Sequence, residues 1–103
     1  MLPLARFKVE DRSMEPGLRH GDYVLVNRLA YLFGEPSKGD VVVLRCPEDE
    51  EKFLIKRVAF SPSPGEYFVM GDNVKRSRDS RHFGPVKMER IIGKVMLRIG
   101  REG

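Results

Sequence analysis

The chain has 103 residues, 41% of them hydrophobic, with 19 Lys and Arg against 15 Asp and Glu and a formal net charge of +4. This is the size of one domain, expected to span residues 1–103 with a single modest core, and no apolar run approaches the roughly 20 residues of a membrane helix. The one cysteine excludes an internal disulfide, and the two histidines, His20 and His82, lack the spacing of a metal site, so neither metal nor cofactor is expected.

The opening "MLPLARF" is apolar but short, without the basic stretch, longer apolar region and cleavage site of a secretory signal. From there on, Val, Ile, Phe and Tyr gather in short segments bounded by Gly, Pro and Asp, the pattern of short strands. Strands are expected at 7–10, 23–27, 40–44, 53–59, 67–70 and 92–99. They make an all-β domain, a compact barrel or sandwich.

After the first strand, "DRSMEPGL" places Ser13 in a turn open to solvent. "RLAYLFG" can add one helical turn. The run "VVVLRCPEDE" ends on Cys46, read as a half-buried structural thiol, and "PEDEE" reads as an exposed hairpin loop. In "FLIKRVAF", period two sets Lys56 on one face with Leu54, Val58 and Phe60, which aims a lysine into apolar company. "GDNVKRSRDSRHFGP" then packs Asp72, Asn73, Ser77, Asp79, Ser80 and Arg81 into one loop, denser in polar groups than a turn requires. Its cations Lys75, Arg76, Arg78 and Arg81 are mixed with Asp79 and two serines and no aromatic residue. The cluster reads as a solvated face, and no nucleic acid partner is expected.

A serine hydroxyl becomes a nucleophile when a base removes its proton, and a lysine made neutral by burial can be that base. Ser13 and Lys56 are the candidates, with desolvation pushing the amine down from about 10.4 toward neutrality. Other readings stand beside this: a turn or helix-cap serine, a lysine with its head in water, an Asp79–Arg81 surface pair, or a triad of Ser13, His82 and Asp79.

Four segments in order, "SMEP", "GDYVLVNRLAYLFGEPSKGDVVVL", "IKRV" and "GDNVKRSRDSR", resemble the boxes of the type I signal peptidases, serine peptidases with a Ser/Lys dyad. The resemblance implies Ser13 as nucleophile and Lys56 as general base, with Ser77 holding the amine and Asp79 paired with Arg81 beneath the site. It implies that Gly71, Asp72 and Asn73 shape the turn toward the dyad, and that Met14 and Pro16 set the backbone so the Ser13 amide points into an oxyanion hole. The implied substrate is a preprotein or leader peptide with small side chains at the first and third positions before the cut, with a membrane surface as a further partner. An anchored chain would work on the outer face of a membrane. If Met1 is the native start, the chain would resemble soluble peptidases that mature a cytosolic protein, such as nickel-type superoxide dismutase. The shared β architecture of LexA-type self-cleaving domains, and a non-catalytic basic module binding nucleic acid or membrane, are the competing classes. Two departures stand out. Only "AFSPSPGEYFVM" separates the third and fourth boxes, where relatives carry a longer insertion. Asp11 stands two residues before the serine, where relatives have Ser or Gly; a carboxylate opposes a developing oxyanion, so Asp11 is expected to face away.

Overall fold

The computed structural model describes residues 3–101. Seven strands form: β1 (Leu4–Lys8), β2 (Asp22–Asn27), β3 (Val41–Arg45), β4 (Phe53–Ser63), β5 (Glu66–Met70), β6 (Val86–Lys87) and β7 (Ile91–Arg101). They join in one antiparallel sheet of order β1-β2-β7-β3-β4-β5-β6. β3 lies inside it, and the reason is in its sequence: Val42, Val43 and Leu44 are all fully buried, so the strand reads as an unbroken apolar run rather than an alternation. Val42 and Leu44 join a core with Leu54, Val58, Tyr67 and Val69, while Val43 joins a second one with Val9, Val24 and Val26.

All six expected strands are present and the all-β expectation holds. β6, two residues long, is too short to show a period in sequence. The stretch 28–34 forms turns rather than helix, with Leu32 N donating to Leu29 O at 3.1 Å. The acidic segment is a hairpin loop closed by Cys46 N donating to Lys52 O at 2.8 Å, and Cys46 itself is buried in the core. Along β4 the alternation holds for Leu54, Lys56 and Val58 and then fails. A register shift against β5 between Val58 and Phe60 turns Phe60 outward, 49% exposed, where it stacks on Phe68 at 4.9 Å. Such a bulge re-aims every side chain beyond it, so Phe60 does not cover Lys56.

Two irregular segments carry the polar motifs. The excursion 9–21 between β1 and β2 is pinned at its base by Val9 N to Asp22 O at 2.7 Å and Gly21 N to Val9 O at 2.8 Å. The Asp22 carboxylate accepts from Arg19 N and from Arg101 Nε, each at 2.8 Å. The amide of Arg19 is the main cause that holds its carboxyl below the ordinary range. The second segment runs from Gly71 to the short helix α1 (Ser80–Phe83).

Where β7 passes the end of β2, Gly93 leaves no space: an added Cβ would lie 2.5 Å from Asn27 O and 2.8 Å from Val26 Cγ1. Gly93→Ala should therefore destabilise the protein by about 1–3 kcal/mol through overpacking. Urea unfolding should show a lower midpoint with an unchanged slope; an unmoved midpoint would mean that the sheet yields freely here.

Candidate active site

β4 delivers Lys56 to the buried face of the sheet, where the side chain is only 1% exposed. Its amine donates to Ser77 Oγ at 3.1 Å. Burial is the main influence on the amine and pushes its pKa below the ordinary lysine value. Asp11 and Asp79 act against this, while the charges of Lys52 and Arg81 add to it. Arg57, the next residue along, points to the other face of β4 and grips Asp72 with two bonds of 2.9 Å.

Ser77 is in turn held by Asp79. Ser77 Oγ donates to Asp79 Oδ2 at 2.6 Å, the same oxygen accepts from Gly71 N at 2.9 Å, and Arg81 Nε donates to Oδ1 at 2.9 Å. Asp79 also caps α1: its carboxylate accepts from Arg81 N at 3.2 Å, while His82 Nδ1 accepts from Asp79 N at 3.3 Å. Burial of this 0% exposed carboxylate works against its charge. The hydrogen bonds from Arg81, Ser77 and Gly71 outweigh that effect and hold the carboxyl well below the usual carboxylate range. His82 is thereby a capping residue, half exposed and turned to its own loop.

The loop after β5 also grips the Ser13 excursion. Asn73 N donates to Ser13 O at 2.7 Å, Asn73 Nδ2 donates to Arg12 O at 3.0 Å, and Asp72 N donates to Met14 Sδ at 3.4 Å. Gly71 permits this approach, because an added Cβ would overlap both Ser77 and the Ser13 carbonyl oxygen. Ser13, Met14, Lys56, Gly71, Asp72, Asn73, Ser77, Asp79 and Arg81 are thus brought together. Pro16 is not; it follows a cis Glu15–Pro16 bond and lies in the exposed outer part of the loop.

Two expectations are overturned at Ser13. The residue is 2% exposed rather than open to solvent. Asp11 does not face away: its Oδ1 accepts from Ser13 N at 3.0 Å and from Ser13 Oγ at 2.8 Å. The residue pattern Asp-x-Ser favours this outcome, since Asp side chains commonly accept hydrogen bonds from groups two residues on. The sequence does not foretell two contacts: Arg57 with Asp72, and Ser80 Oγ accepting from Val69 N at 2.8 Å to fix the end of β5. Of the basic cluster, Arg78 is committed to Glu48 at 2.6 Å and Arg81 to Asp79.

The family model of signal peptidase, peptidase S26, matches residues 1–63 and 61–99. The chain is 36% identical to the mitochondrial ATP-independent inner membrane protease subunit 1a of Arabidopsis thaliana, over 88% of this chain and 67% of that protein. With subunit 1b of the same organism it shares 38% identity over 84% of the chain and 64% of the relative. It is also similar to signal peptidase I V of Bacillus subtilis, at 27% identity over 86% of the chain and 82% of the relative. The chain spans about two thirds of the length of the two plant relatives. A buried lysine and serine on an antiparallel sheet suit a hydrolase, and the comparisons narrow the class: the chain belongs to the signal peptidase S26 family, which consists of serine-type endopeptidases. Among the described residues no helix is long and apolar enough to cross a membrane.

Asp79→Ala strips Ser77, Gly71 and Arg81 of a shared acceptor and should cost about 3 kcal/mol, as loss of one partner of a buried pair does. Since the folded-state pKa of Asp79 lies below its ordinary 3.8, this stabilisation is complete above that pH and lost as pH falls through the folded value. Chemical denaturation of both proteins should show a constant gap at neutral pH that closes in acid. A gap that persists unchanged in strong acid would contradict the ionised carboxylate.

Proposed function

We propose that residues 1–103 form the catalytic unit of a signal-peptidase-type endopeptidase in which Ser13 attacks the scissile carbonyl and Lys56 is the general base. The observation that carries this reading is the Lys56 amine. It is buried, displaced toward its neutral form by that burial, and aimed by the Ser77–Asp79–Arg81 chain of hydrogen bonds. As Ser13 Oγ bonds to the carbonyl carbon, its proton passes to Lys56 Nζ, and the carbonyl π electrons collect on oxygen. The ammonium then protonates the departing amine, leaving an acyl-enzyme. A water that gives its proton to the restored amine attacks the ester, and the proton returns to Ser13 Oγ as the carboxylic product leaves.

A cavity of about 500 Å³ fits an extended peptide beside this centre; Phe7, Val9, Met14, Phe53 and Ile55 give it an apolar wall. β1 is an edge of the sheet, so a bound peptide can lie along it in the manner of an added strand. By the likeness to signal peptidases, the substrate is the leader of a preprotein with small residues at the first and third positions before the cut. The relatives named as inner membrane proteases support work at a membrane surface, and the extracytoplasmic face is part of the proposal by likeness to the signal peptidases.

Ser13→Ala should abolish cleavage of an Ala-x-Ala leader peptide while the fold persists, and Lys56→Arg should be equally inactive, because a guanidinium stays charged at any working pH. Retention of more than about a tenth of wild-type kcat/KM by either variant would remove the dyad. Ser77→Ala, which frees the amine, should cost roughly 10 to 1000-fold in rate. Because the neutral amine is the active form and its pKa is lowered, kcat/KM should climb with pH to a midpoint below 10.5. A climb in the carboxylate range instead would point to an acid side chain as the base.

A further inference from the structure

Ser13, as a nucleophile, is nearly inaccessible. The groove beside it is walled at this end by Asp11 and Met14, while Ser13 itself is 2% exposed. Asp11 Oδ1 receives both the amide and the hydroxyl proton of Ser13, at 3.0 and 2.8 Å. A backbone amide of the nucleophile is a natural donor to the oxygen that becomes negative during attack. Here a negative oxygen already sits on it. The hydroxyl proton, which has to travel to Lys56, points to the same carboxylate.

We propose that Asp11 is an internal oxyanion mimic, a latch on Ser13 that the scissile carbonyl must displace before attack. This rests on the Ser13–Lys56 reading above and adds a residue that tunes it. The latch acts twice. It occupies the donor that the tetrahedral intermediate requires, and its charge favours the protonated, inactive form of Lys56. The charges acting on that amine are Asp11 and Asp79 on one side and Lys52 and Arg81 on the other. Asp79 is locked in its own network, whereas Asp11 is exposed and lines the groove, where an entering peptide meets it. A substrate that fills the groove and presses on Asp11 opens the site; one that leaves the groove empty does not, so the latch guards against idle hydrolysis of small esters and amides.

The test is the pH profile of kcat/KM for wild type, Asp11→Gly and Asp11→Asn on a fluorogenic Ala-x-Ala peptide, with Ser13→Ala as control. Asp11→Gly should raise kcat/KM by about tenfold, the scale of a released hydrogen bond to a charged group. In both variants the rising limb should move to lower pH, because a charge that favoured the ammonium is gone. Asp11→Asn preserves the shape of the side chain and so carries the limb test even if the glycine variant unfolds. A glycine variant no faster than wild type, or a limb unmoved in both variants, overturns the latch. Either result leaves the dyad standing as long as Ser13→Ala is inactive, and an active Ser13→Ala would instead overturn the dyad.

Discussion

One oxygen, Oδ2 of Asp79, takes hydrogen bonds from Ser77 Oγ and from the Gly71 amide, and the geometry of the site follows from it. Ser77 bonded to that oxygen is fixed in the one position where it can receive the Lys56 ammonium or amine. Gly71 bonded to it brings the loop after β5 close enough for Asn73 to take hold of the Ser13 carbonyl. A charge buried this deeply costs several kcal/mol of lost hydration, which only a full set of donors offsets. Arg81, the amide of residue 81, Ser77 and Gly71 supply that set. The same carboxylate begins α1 as its N-cap, so the loop leaves the site in a defined direction.

Lys56 lives under the opposite condition. Among the described residues it has a single hydrogen-bond partner, a hydroxyl, in a site walled by the strands of the main core, and no carboxylate of those residues bonds it directly. Desolvation thus prevails over the two carboxylates nearby, and the amine shifts toward neutrality. The separation of roles is chemically sensible. If Asp79 paired with Lys56 in place of Arg81, the ammonium would be stabilised and the proposed base lost. Arg81 satisfies the carboxylate, and Ser77 passes on only its orientation.

Much of this was legible in the residues. Period two over "FLIKRV" put Lys56 on the buried face with Leu54 and Val58, and the polar density of "GDNVKRSRDSR" marked the loop that meets it. Local patterns carry such information because strands and turns are short-range structures. Phe60 went astray because a bulge depends on the partner strand, which β4 alone does not reveal. The place of Asp11 is set by the hydrogen bonds that a resting turn prefers and not by the charge that a catalytic site would reject, and the residue types alone do not rank the two. The pairing of Arg57 with Asp72 joins positions from two separate boxes, and neither box by itself calls for the other. β6, at two residues, carries no period at all.

The proposed chemistry requires a lysine that gives up its proton more readily than an ordinary one. NMR titration of the protein carrying 13C-labelled lysine side chains, with Lys56→Arg used to assign the resonance, measures this directly. The signal of Lys56 should titrate below 10.5, at the same pH as the rising limb of kcat/KM. A Lys56 resonance that titrates at or above that value would make the residue a structural cation and contradict its role as base.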